Sequence, residues 1–138
     1  PPGHFYRHAF RFDEMWSQLL DPLQATGRVH LVADHTEETA TEYRPQPYDF
    51  DGLEVAVVEA IFLFRPPYRE RFDFAIWIDC TFETALERAI ARGQEGLPPA
   101  ETVAAFESLF FPAQRLHLER DHPRDFAHRI VPNDPRIE

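Results

Sequence analysis

Residues 53–93, LEVAVVEAIFLFRPPYRERFDFAIWIDCTFETALERAIARG, constrain the fold more than any other stretch. The run 54–62, EVAVVEAIF, is rich in β-branched residues and apolar at nearly every position. That pattern predicts a strand covered on both faces of a parallel sheet. Residues 74–78, FAIWI, predict a second strand that ends at Asp79 and Cys80. Thr81 is placed to cap a following helix over about 82–93, with Glu83 in its first turn and Gly93 at its end. Glu59 stands out, because an unpaired carboxylate in a dry strand is expensive. It fits in solvent at the rim of the sheet, or at the carboxyl end of a parallel strand, where open α/β sheets bind ligands.

The rest of the chain supplies the layers. Asp13 is placed to cap a helix over 14–24 that presents Met15, Trp16, Leu19, Leu20 and Leu23 on one face and stops at Gly27. Residues 28–34, RVHLVAD, alternate and predict a strand, with 39–43, TATEY, as its hairpin partner and 44–52 as a loop. Residues 1–11 carry no strong period. Downstream, 94–99 form a connector, and 100–120 predict a long helix with Val103, Phe106, Leu109, Phe110, Ala113 and Leu116 toward the core. Pro112 should kink or break it. Residues 128–132, HRIVP, predict a last strand. Strands alternating with helices imply an α/β fold in one small domain, with 54–62, 74–79 and 128–132 mutually parallel.

Composition removes several chemistries. All 14 cationic residues are arginine, so lysine Schiff-base chemistry and a G-x-x-x-x-G-K-S/T loop are impossible within this sequence. The five glycines never cluster. A net charge of −10 leaves no basic footprint for nucleic acid or an anionic membrane. No apolar run approaches the roughly 18 residues of a membrane span, and the first residues lack a secretory pattern, so a cytoplasmic location is expected. The single cysteine, Cys80, permits no internal disulfide and reads as a buried thiol. His4 and His8 are spaced i, i+4, and His117, His122 and His128 follow, but there is no H-E-x-x-H and no Cys/His cluster, so no zinc site is expected. Ser17 and Ser108, the only serines, fall within predicted helices without a nucleophile turn. Phe106, Phe110 and Phe111 read as core.

Arg88 and Arg92 are spaced i, i+4 and share a helix face. Two guanidinium forks on one face suit phosphate oxygens; the other reading is a solvated charged face.

From about residue 5 to 134 the order of segments resembles the uridine kinase-like family of P-loop kinases. VVEAIF (57–62) resembles that family's strand ending in an acidic residue and glycine, with Ala60 in place of the glycine. FAIWIDCTFETALERAIAR (74–92) resembles its next strand and arginine-bearing lid helix. FFPAQRLHLE (110–119) and HRIVPND (128–134) resemble the late helix and the last strand beside the adenine. FDEMWSQLLDPLQATGRVHLVAD (12–34) and EETATEYRP (37–45) resemble the segments around the family's Tyr-Asp-Phe signature, where this chain has Ala33-Asp34-His35. Tyr6-Arg7-His8-Ala9 stands where the family has Phe-Asp-His-Pro, with Arg7 replacing the sugar-binding acid. The family's phosphate loop, first strand and catalytic aspartate lie upstream of the matched part.

The resemblance implies a parallel three-layer sheet of P-loop NTPase type lacking its first strand, with a lid helix at about 82–93 and a peripheral hairpin at about 28–43. It implies an intact parent that uses ATP and magnesium to phosphorylate a small-molecule hydroxyl, nucleosides included. Glu59 would serve magnesium through water, Arg88 and Arg92 the transferring phosphates, and Pro132 and Asn133 the edge of the adenine site. Tyr6, His8 and Asp34 would line the acceptor pocket. The missing strand would lie between 54–62 and 74–79, so those two should share no ladder. This chain alone is expected to bind no nucleotide tightly and to be inactive. The alternative is a non-catalytic kinase-like module for binding or assembly, with a homo-oligomer among the expected partners.

Overall fold

The computed structural model describes residues 1–35, 42–93 and 96–137. Its first element, α1 (Pro2–His8), forms where the sequence shows no clear period. Pro2 sits in its first turn, where a missing N–H leaves nothing unsatisfied. A continuous helical run follows: α2 (Phe12–Glu14), a π-helical turn (Met15–Leu20) and α3 (Asp21–Thr26). It starts earlier than predicted, and Arg11 rather than Asp13 holds the N-cap position, with no side-chain capping bond. Gly27 ends it at φ +67°, and its carbonyl accepts the Leu53 N–H at 2.9 Å. A Cβ at Gly27 would meet the Leu53 carbonyl at 3.1 Å, so glycine is needed for both conformation and space.

Strand β1 (Val29–His35) forms as predicted. Its antiparallel partner is β2 (Arg44–Phe50), in register from Val29 opposite Phe50 to His35 opposite Arg44. This corrects two expectations. The partner was placed at 39–43, where 39–41 lie outside the described residues and Glu42 and Tyr43 precede β2. The loop expected at 44–52 is instead a strand over most of its length, with Pro45 and Pro47 inside it. Prolines two apart put both nitrogens on the same edge of a strand, and an edge strand needs no donors on its outer side.

Next come β3 (Ile76–Asp79) and α4 (Phe82–Arg92). Thr81 caps α4, its Oγ1 accepting the Thr84 N–H at 3.3 Å, and Gly93 closes it at φ +61°. Then α5 (Pro99–Ala105), a second π-helical turn (Phe106–Phe110) and α6 (Phe111–Asp121) make one long helical run. Each π turn lies directly ahead of a proline. Asp21, before Pro22, donates its N–H to the Trp16 carbonyl; Phe111, before Pro112, donates to Phe106. Proline cannot donate to the carbonyl four residues back and its ring crowds that carbonyl, so a turn one residue wider relieves both problems. The break expected at Pro112 therefore takes the form of a wide turn within a continuous run. The short α7 (Pro123–Phe126) leads to β4 (Arg129–Pro132), which pairs parallel with β3 from Ile76 opposite Arg129 to Asp79 opposite Pro132.

The described residues are thus mixed α/β with two small sheets, one antiparallel and one parallel. The predicted strand at 54–62 is not formed. Residues 53–60 belong to neither sheet, and Val55 and Val57 are 73% and 89% exposed where burial on both faces was expected. Of the three strands expected to run parallel, only the last two do. Strand propensity needs a partner to become a ladder. At the end of the run the chain turns at Phe62, φ +62°, and Phe62, Leu63 and Phe64 are all buried. A strand sends successive side chains to opposite faces; the left-handed residue abolishes that alternation and lets three in a row enter the core.

By contacts the chain divides into two compact units, Phe10–Glu59 and Pro1–Ala9 with Ala60–Glu138. Phe12, Trp16, Leu20, Leu23 and Val29 form the core of the first. Tyr6, Phe62, Leu63, Phe64, Ala75, Ala89, Phe111 and Ala113 form that of the second. Phe5 of α1 meets Phe62 and Phe110 edge-on, with ring centroids 5.9 and 5.3 Å apart. Among the described residues no helix is long and apolar enough to cross a membrane.

Candidate functional site at the carboxyl ends of the parallel strands

Because β3 and β4 are parallel, their exits lie at the same end of the sheet, the end where such sheets bind ligands. β3 leads through Cys80 and Thr81 into α4; β4 leads into Asn133 and Asp134. The Asn133 N–H donates to the Asp79 carbonyl at 2.9 Å, which extends the pairing one step past the strands. Asp134 is buried, and four donors converge on its carboxylate. Oδ2 accepts the Thr81 N–H and the Thr81 hydroxyl, both at 2.6 Å. Oδ1 accepts the Thr84 hydroxyl at 2.7 Å and the Arg136 N–H at 2.8 Å. Burial alone would push the Asp134 pKa up. The bonds from Thr81, Arg136 and Thr84 outweigh it and hold the carboxyl well below the usual carboxylate range. Arg136 closes the cluster, donating to the Thr84 Oγ1 at 2.6 Å and to both oxygens of Glu87 at 2.6 and 3.1 Å.

Arg88 projects from the next turn of α4. Its Nη1 donates to the Asn133 carbonyl at 2.8 Å and lies 3.9 Å from the Cys80 sulfur. The structure therefore joins two residues singled out for different ends of a nucleotide. Arg92 is exposed one turn further on, and Pro132 and Asn133 are exposed beside the Arg88 contact. Cys80 is half-buried, and burial, with Asp134 adding, pushes its thiol up despite the nearby Arg88, so it stays protonated at neutral pH. Asp79 is also engaged: Arg124 Nη1 reaches both its oxygens at 2.5 Å.

The remaining sequence candidates belong to other elements of the chain. Glu59 is exposed and belongs to the unit Phe10–Glu59, as does Asp34, which is exposed on β1 with its carbonyl bonded to Arg11 at 3.0 Å. His8 is exposed on α1, its ring 4.6 Å from that of His4. Tyr6 faces the other way, into the core, since residues two apart on a helix do not share a face.

Tyr6 belongs to a network that sequence reasoning missed. Its hydroxyl donates to Asp121 Oδ2 at 2.6 Å, and His117 Nδ1 lies 2.6 Å from the same oxygen. Arg65 donates to the Tyr6 carbonyl at 2.6 Å and lies over its ring at 5.0 Å. Burial, helped by Asp121, pushes the Tyr6 pKa up to about 12. Burial lowers that of His117 although Asp121 opposes the shift, so the imidazole is neutral at pH 7 and donates from Nδ1. The signal was present in the i, i+4 spacing of His117 and Asp121, but the partner from α1 has no sequence signature.

Among the described residues no group of three or more His, Cys, Asp or Glu is placed to hold a metal ion. No protein-family model matches the chain, and no curated protein matches its sequence.

Proposed function

We propose that the intact parent of this chain transfers a phosphoryl group from ATP to a hydroxyl of a small molecule, nucleosides included, on a sheet of P-loop NTPase type. The observation that carries this reading is the contact between Arg88 and Asn133 at the carboxyl ends of two parallel strands. Phosphoryl transfer asks a protein mainly to hold phosphates and neutralise developing charge. A guanidinium on a helix that begins at the strand end can do so, and in this reading Pro132 and Asn133, both exposed, would border the base. Arg92 would add a second fork one turn away. The unpaired run 53–60 suits a strand whose neighbour comes from elsewhere in the polypeptide. Residues upstream of Pro1 would supply that strand, the glycine-rich loop and the lysine that this sequence lacks. Magnesium, held by Glu59 through water, would neutralise charge on the phosphates; an exposed carboxylate suits an ion that keeps its hydration. Tyr6, His8 and Asp34 remain the acceptor-side candidates of this reading.

The test is isothermal titration with magnesium-ATP paired with a phosphorylation assay across nucleosides. Residues 1–138 alone should neither bind tightly nor turn over, and a polypeptide extended upstream should do both. Micromolar binding with turnover by residues 1–138 would overturn the reading.

A second reading, a non-catalytic module that assembles through its sheet in the cytoplasm, rests on a different observation. Ile76 and Ile78 lie on one face of β3, 48% and 53% exposed, beside Val131 at 43%. Light scattering that finds a homo-oligomer indifferent to magnesium-ATP, with no turnover after upstream extension, would favour it.

A further inference from the structure

We propose that Asp134 is a positioning residue that locks the first turn of α4 to the loop after β4, so that Arg88 and the Asn133 backbone are held as one unit. The proposal goes beyond Arg88 itself and rests on the phosphotransfer reading only for its kinetic arm. Its geometry stands alone. The two oxygens of Asp134 divide the work. Oδ2 takes two bonds from Thr81, at the N-cap of α4. Oδ1 takes one from Thr84, in the first turn, and one from the Arg136 backbone, in the loop. Arg136 then ties the loop back to α4 through Thr84 and Glu87. Glu87 precedes Arg88, and Asn133 precedes Asp134. The 2.8 Å contact of Arg88 with the Asn133 carbonyl thus bridges two segments that Asp134 already clamps at both ends. An ordinary capping carboxylate would satisfy helix N–H groups and stop there. Here the carboxylate comes from 50 residues further along the chain than Thr84, so cap and loop cannot move separately.

The mechanical consequence is specific. A helix carrying phosphate-directed arginines would rock freely if only its N-cap were satisfied. With Asp134 in place, movement of Arg88 relative to Asn133 requires loss of several charge-assisted bonds at once.

The experiment substitutes Asp134→Asn, which keeps the volume but replaces one acceptor oxygen with a donor. In residues 1–138 the expected result is faster amide exchange at Thr81 and Arg136 together with an Arg88 side-chain order parameter that drops below about 0.6, the range of flexible groups. Amides in the last turn of α4 and the far-UV spectrum should not change. Loosened amides with an unchanged Arg88 would reduce Asp134 to a helix cap and overturn the proposal. Should Asp134→Asn fail to fold, Thr84→Val serves, because it removes the Thr84 bond to Oδ1 and the Arg136 Nη1 bond to Thr84 while leaving both Thr81 bonds to Oδ2 and the Arg136 N–H bond to Oδ1; an Arg88 as ordered as in the parent would again overturn it. In an upstream-extended polypeptide that turns over, Asp134→Asn should lower kcat about tenfold, and about twofold or less when Arg88 is already Ala, since coupled residues are non-additive. Equal losses in both backgrounds would also overturn it. An extended polypeptide that never turns over sinks the phosphotransfer reading and leaves the exchange and order-parameter results to decide this one.

Discussion

Two apolar runs lie on either side of the 61–73 connector in the sequence, and they meet different fates. Residues 76–79 find a parallel partner in β4; residues 53–60 find none among the described residues. Each run is rich in strand-forming residues and ends near an acid. In β3 the acid, Asp79, is gripped by Arg124 and accepts the Trp77 Nε1–H at 3.2 Å. In the unpaired run the acid, Glu59, stands exposed, and so does Val57 at 89%. Apolar, β-branched sequence makes extended backbone easy. Only a neighbouring strand turns it into a ladder, and only a ladder fixes what the residues at its end can reach.

If the paired run organises the chemistry, its end should carry the largest effect. In an upstream-extended polypeptide that turns over, Arg88→Ala or Arg92→Ala should each lower steady-state turnover by on the order of 10³-fold, the low end for an arginine that stabilises transition-state charge. Lysine at either position should restore activity only in part, because it lacks the fork. Near-parental rates in both alanine variants would return this helix face to a solvated one and remove the functional side of the comparison.

The unpaired run is anchored at its far end, and that anchor can be cut. Phe62 is 1% exposed and meets Tyr6 and His117 edge-on at 5.4 and 5.7 Å. Phe62→Ala should cost about 3–5 kcal/mol in urea unfolding, the range for emptying an aromatic site in a core. Phe62→Gly, which accepts positive φ without strain, should lie no lower than the alanine variant despite its extra chain entropy. Losses below about 1 kcal/mol would mean that the run is held elsewhere.

A smaller effect separates the network behind that anchor. Tyr6→Phe should cost about 2 kcal/mol, the scale of a hydrogen bond to a charged acceptor. It should also change the pH profile, whose signs follow from the shifts. Tyr6 is raised from 10.0 to about 12, so its contribution is complete below pH 10 and is lost as pH rises from there to about 12. Cys80, raised from 9.0, adds loss of the same sign above pH 9. His117 is lowered from 6.5, so the unfolded chain takes the proton first and stability falls as pH drops below about 6.5. Asp134, lowered from 3.8, extends that acid loss below pH 4. Urea midpoints should therefore plateau between about pH 7 and 9 and fall on both sides. In Tyr6→Phe the loss between 10 and 12 should disappear, and a profile identical to the parent would show that the hydroxyl does not titrate as its contacts require.

Local signals were legible where they were self-contained. Thr81, Glu83 and Gly93 gave the limits of α4, Gly27 gave the end of α3, and alternation gave β1. Arg88 was legible as a candidate from its helix spacing, but its bond to Asn133 depends on the parallel pairing of β3 and β4. The proline-bearing β2 was hidden because Pro45 and Pro47 carry a loop signal that only an edge position cancels. The run 54–62 misled for the converse reason, since its composition reports propensity and nothing about a partner. Asp134 gave no signal at all: an acid in a polar tail looks solvated until the parallel pairing of β3 and β4 brings three donors from α4 and its cap to the same end of the sheet.

The mildest substitution tests the comparison most directly, because it is the same on both runs in kind. Val57→Thr and Ile78→Thr each place a hydroxyl where the sequence has a β-branched apolar residue. Val57 is 89% exposed and outside any ladder, so its variant should unfold within about 0.5 kcal/mol of the parent, as surface substitutions do. Ile78 is 53% exposed but lies opposite Val131 in the ladder, so losing its cross-strand and covered apolar area should cost about 1 kcal/mol. Urea unfolding of the pair in residues 1–138 gives both numbers. A loss above 1 kcal/mol at Val57 would mean that the run is packed against something in solution, either within the chain or in a second copy. Dilution separates these cases: a copy-dependent loss weakens as protein concentration falls, and an internal one does not. With upstream residues present, the phosphotransfer reading expects Val57 to become the costlier of the two positions, because a strand paired with 53–60 would cover it.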